Sequence, residues 1–106
     1  MSNTVQPLTV RPTPTGFHLT GEIDSSTADT LATHLRSSGA NSGDVELHMT
    51  NVDFIDSSGL RVLIEAHQEA DNGGRRLVIV EPSAIVARLL DISGLTSYLH
   101  VKPSPE

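Results

Sequence analysis

Apolar and polar residues alternate over Phe17–Thr20 and again over Val45–Thr50, the period of a strand with one packed and one wetter face. In the second run Val45, Leu47 and Met49 point one way, and Glu46, His48 and Thr50 the other. Leu77-Val78-Ile79-Val80 is apolar throughout, which predicts a strand buried on both faces in the middle of a sheet. Leu8–Arg11 and Ser97–Val101 predict two more short strands. Pro12, Pro14 and Gly16 mark a turn that makes the first two strands a hairpin.

Between the strands the period changes to that of a helix. Ala28, Leu31, Ala32 and Leu35 share one face, after candidate N-caps at Asp24, Ser25 and Ser26 and before a candidate C-cap at Gly39. Leu60, Leu63, Ile64, His67 and Ala70 form a second stripe, which ends at the Gly73-Gly74 turn. Ile85, Leu89 and Ile92 form a third, flanked by Val86 and Leu90, with Pro82 early and Gly94 at the end. The expected order is β-β-α-β-α-β-α-β. This is an α/β domain with a mixed sheet of four to five strands, an N-terminal hairpin and three main helices. The 106 residues suit one domain, ordered over about residues 7–101 with loose ends.

Composition narrows the function. The net charge of −6, from 13 acidic and 7 basic residues, repels phosphate backbones and anionic membranes. With only Phe17, Phe54 and Tyr98 as aromatics, no stacking platform for bases is available. There is no cysteine, no apolar run long enough for a membrane span and no signal-peptide pattern, so a cytoplasmic location is expected. His18, His34, His48, His67 and His100 show no metal-ligand spacing, and no metal or cofactor is expected.

The informative stretch is Asn51–Ala70, where a strand hands over to a helix through Asp56-Ser57-Ser58-Gly59. A capping role explains one oxygen, yet three consecutive candidates are present. Gly59 in the first turn costs about 1 kcal/mol relative to Ala, so something is expected to approach the backbone closely there. Ser58 shares the outer side of the helix with Arg61, Val62, Glu65 and Glu69, and Val62 is expected at the edge of this polar face, as part of a partner surface. The nucleophile-elbow pattern is absent and no local base accompanies either serine, so no catalytic residue is assigned. A serine acting as substrate fits better. A phosphate there is tolerated by a helix N-terminus, and its charge beside Asp53 and Asp56 opposes the docking of a partner.

Three elements carry a resemblance over about residues 8–101: Gly21-Glu22-Ile23-Asp24, Phe54-Ile55-Asp56-Ser57-Ser58-Gly59-Leu60, and Leu90-Asp91-Ile92-Ser93-Gly94-Leu95. Together they resemble the STAS domains of anti-sigma factor antagonists. The resemblance implies a non-enzymatic switch. Unphosphorylated, it binds an anti-sigma factor and frees the sigma factor. The anti-sigma factor is a serine kinase that phosphorylates the serine after the aspartate, here Ser57, and a PP2C-type phosphatase resets it. It also implicates Asp24 in the kinase contact, giving Asp24, Asp56, Ser57, Ser58, Gly59, Arg61, Val62 and Glu65 as the expected partner-binding residues. The family often adds a helix after its last strand; the Pro-rich stretch 102–106 leads us to expect it missing or truncated here. The alternative is a STAS interaction module of a stress-sensing or lipid-transport complex.

Overall fold

A computed structural model describes residues 7–38 and 43–103. The elements follow the expected order: β1 (Thr9–Thr13), β2 (Gly16–Ile23), α1 (Ala28–Ser38), β3 (Val45–Ile55), α2 (Ser57–Asn72), β4 (Leu77–Val80), α3 (Ala84–Ile92) and β5 (His100–Lys102). The five strands form one sheet in the order β1-β2-β3-β4-β5. β1 and β2 are antiparallel; β2–β3, β3–β4 and β4–β5 are parallel, each pair bridged by a helix. Pro12 falls within β1, opposite Phe17, where an edge strand can do without its N–H.

The core is aliphatic. Leu19, Ile23, Leu47, Met49, Leu63 and Ile79 are fully buried. The alternation of Val45, Leu47 and Met49 against Glu46, His48 and Thr50 is realised, with the first set buried and the second half-buried or exposed. On α1, Ala28, Leu31 and Leu35 are buried as their spacing predicts, while the expected cap at Gly39 lies outside the described residues.

Three local expectations are corrected. β3 runs past Thr50 to Ile55, because residues 51–55 pair with Thr20–Ile23 across two register irregularities. Each irregularity breaks the alternation, which is why the strand looks finished at Thr50. β4 is not the middle strand. It is fourth of five, bordered by a three-residue β5, and Val78 is only half-buried. On α3 the buried pair is Val86 and Leu90, while Ile85 and Ile92 are 42% and 69% exposed. The reason is where α3 sits. Past Val80 the chain follows the projecting end of β3: the Ser83 amide donates to the Met49 carbonyl at 3.0 Å and the Ser83 hydroxyl to that of Val52 at 2.7 Å. The helix thus turns Val86 and Leu90 inward. It closes at Gly94 (φ +74°), with the Leu95 amide donating to the Leu90 carbonyl at 2.8 Å.

Candidate functional site

β2 and β3 end together. Ile23 pairs with Ile55, and the Asp56 amide donates to the Ile23 carbonyl at 3.1 Å. Asp24 and Asp56 therefore leave the sheet side by side, at the C-terminal ends of parallel strands, the usual location of sites in α/β sheets.

Asp24 organises the turn before α1. Its Oδ1 accepts from the Ser26 hydroxyl at 2.7 Å, the Ser26 amide at 2.9 Å and the Thr27 amide at 3.2 Å. Its carbonyl accepts from the Ala28 amide at 2.8 Å. The Ser26 hydroxyl, helped by the amides of Ser26 and Thr27 and the Thr27 hydroxyl, holds the carboxyl below its usual range against an opposing desolvation effect. A folded-state value below the unfolded one means that the turn gains from this charge above the unfolded value and loses that gain as pH falls through the folded value.

Asp56 is the N-cap of α2, in extended backbone conformation, with Oδ1 accepting from the Ser58 amide at 2.9 Å and the Gly59 amide at 3.3 Å. One carboxylate thus does the capping, and neither serine hydroxyl has a hydrogen-bond partner among the described residues. Ser57, the first helical residue, is exposed, and Ser58 is half-buried. We expect Asp56→Ala to cost about 1 kcal/mol through the lost cap, read from urea unfolding.

Gly59 is buried, and the group that approaches its backbone comes from inside the protein. A Cβ there would lie 2.6 Å from Ile23 Cγ2 and 2.7 Å from Ile55 Cγ1. The glycine lets the first turn of α2 settle onto the ends of β2 and β3. Val62 is likewise corrected. It is only 9% exposed, beside Ala32 and Leu35 of α1, because α1 and the sheet together cover a wider arc of α2 than one sheet face would. Neither residue offers a side chain outward. Arg61 and Glu65 are exposed, as expected.

One feature escaped the periodicity. A groove of about 620 Å³ runs from Ser57 along α2, past Leu60, Arg61, Ile64 and Glu65, to Leu95 beyond α3. Leu60 and Ile64, assigned to the core by their stripe, are half-buried and line it. The signal was an apolar arc on α2 (Leu60, Val62, Leu63, Ile64, Ala66) too wide for a single packed face. Elsewhere, His67 is buried with its ring 4.8 Å from Tyr98 and 5.3 Å from His100, centroid to centroid. Among the described residues no three His, Cys, Asp or Glu side chains converge as a metal site would require, and no helix is long and apolar enough to cross a membrane.

The STAS domain family profile matches residues 6–106. An anti-sigma-B factor antagonist of Staphylococcus epidermidis is 32% identical over 89 residues, covering 81% of each chain. An anti-sigma factor antagonist from Mycobacterium paratuberculosis superposes with a TM-score of 0.71 at 23% identity, over 92% of this chain and 85% of that one. The Bacillus cell fate determinant SpoIIAA in its phosphorylated form superposes with a TM-score of 0.65 at 17% identity, over 92% of each chain. The two superpositions show a shared fold.

Proposed function

Because the chain belongs to the STAS domain family, we propose that it acts as an anti-sigma factor antagonist switched by phosphorylation at Ser57. It binds the anti-sigma factor when unphosphorylated and so releases the sigma factor. The observation that carries this reading is the Ser57 hydroxyl, exposed at the first position of α2 and without a hydrogen-bond partner among the described residues, with its neighbour Asp56 already engaged as the cap. In the kinase reaction the Ser57 oxygen bonds to the γ-phosphorus of ATP, ADP departs, and the hydroxyl proton passes to a base on the kinase. In this reading the chain supplies the acceptor and the kinase supplies the catalysis.

The docking surface in this reading is the corner of Asp24, Asp56, Ser57 and Ser58, extended along α2 by Arg61 and Glu65. Gly59 and Val62 support it from beneath. The partners are an anti-sigma factor with serine kinase activity and a PP2C-type phosphatase that removes the phosphate in the cytoplasm. Phosphorylation leaves the fold intact, because a helix N-terminus favours an anion. It blocks docking because a charge of about −1.5 to −2 must then be desolvated beside two aspartates. The test is to incubate the protein with its cognate anti-sigma factor and ATP and to map the phosphate by mass spectrometry. We expect a single modification, on Ser57; modification elsewhere, or none, rejects the reading.

A further inference from the structure

Ser57 and Arg61 are one helical turn apart on α2 and line the same groove. Residues four apart on a helix lie on one face, and side chains lean towards the helix N-terminus, so the Arg61 stem points back at Ser57. Arg61 is exposed and has neither a hydrogen bond nor an ion pair among the described residues. Glu65, one turn further on, is exposed too, yet no ion pair joins the two. An arginine C-terminal to its acidic partner is the better orientation on a helix, and a phosphate offers more charge and more acceptor oxygens than a carboxylate.

We propose that Arg61 is the phosphate's own counter-cation: once Ser57 is phosphorylated, the guanidinium swings back, donates to the phosphate oxygens and covers the Ser57 end of the groove. This rests on the reading of Ser57 as the phosphorylated residue. Two consequences follow. The added charge is partly neutralised within the helix, so the crowding of anions around Asp24 and Asp56 does not strain the fold. And phosphorylation changes the surface twice, placing an anion at the corner and withdrawing a cation from the face where the partner docks.

The test uses the full chain with phosphoserine installed at position 57 during translation, so that no kinase is needed. The phosphate is titrated by phosphorus NMR in the parent, in Arg61→Gln and in Arg61→Lys. We expect its second dissociation to fall about half a pH unit lower in the parent than in Arg61→Gln, with Arg61→Lys between them. The difference should collapse in about 1 M salt, where screening acts within roughly 3 Å. Thermal unfolding provides the second readout, with phosphorylation more favourable to the melting temperature in the parent than in Arg61→Gln. Identical titrations in parent and Arg61→Gln overturn the proposal, whatever the kinase assay shows. A kinase assay that modifies another residue overturns the reading of Ser57 and leaves this titration as a statement about the helix alone.

Discussion

Ser57→Asp should fold as well as the parent and bind the anti-sigma factor about 100-fold more weakly. A carboxylate in the first turn of α2 meets unpaired amide character and the positive end of the helix, an interaction of roughly 0.3–1 kcal/mol in favour of the fold. The melting temperature should therefore hold or rise. Docking is another matter. The new charge stands beside Asp56 and close to Asp24, and any partner that covers the corner must strip water from all three. Like charges brought together without compensation cost several kcal/mol, of which the nearby Arg61 returns a part, leaving about 2–3 kcal/mol against binding. Ser57→Ala should do the opposite, binding like the parent and staying bound when ATP is added. Calorimetric titration of the three proteins with the anti-sigma factor decides the matter. An aspartate variant that binds as tightly as the parent contradicts the electrostatic account.

The second large effect is on stability. Gly59→Val should destabilise the domain by about 3 kcal/mol and lower the melting temperature by about 10–20 °C. An exposed glycine in a helix would gain from almost any replacement. Here a Cβ would stand 2.6 Å from Ile23 Cγ2 and 2.7 Å from Ile55 Cγ1. Both isoleucines are buried, and both contact atoms are attached directly to a branched Cβ, so neither can swing aside as a flexible chain end would. The first turn of α2 must rise off the sheet, carrying Ser57 with it. Phosphorylation should consequently slow even at temperatures where the variant is folded. A variant as stable as the parent would show that this turn is not seated on the two isoleucines.

Much of the fold was legible in the amino-acid pattern. The period-two runs at Phe17 and Val45 and the stripe on α1 found their elements because each has one dominant packed face, and α2 was found by its helical period although its packed arc is wider than the stripe. The serine corner was legible for a chemical reason: a cap uses one acceptor, and Asp56 leaves two hydroxyls to explain. What stayed hidden depends on neighbours that periodicity does not encode. Val62 is buried because α1 lies over it. Ile85 and Ile92 are exposed because α3 is held at the projecting end of β3 through Ser83; a nine-residue helix this apolar admits more than one inward stripe. The groove combines α2 with Leu95, which follows another helix. The second half of β3 was obscured by its own irregularities, which scramble the inward positions without ending the ladder.

The sheet order has a consequence for how the molecule comes into being. Every strand pairs with the one made immediately before it. A chain leaving the ribosome can thus add each new strand to a growing edge, and no strand has to be inserted between two already made. Only the β1–β2 hairpin closes over a short stretch; each parallel pairing spans a whole helix, so the hairpin should form first and the rest of the ladder more slowly. The serine corner, formed where β2 and β3 end, is complete once α2 has emerged, ahead of β4, α3 and β5.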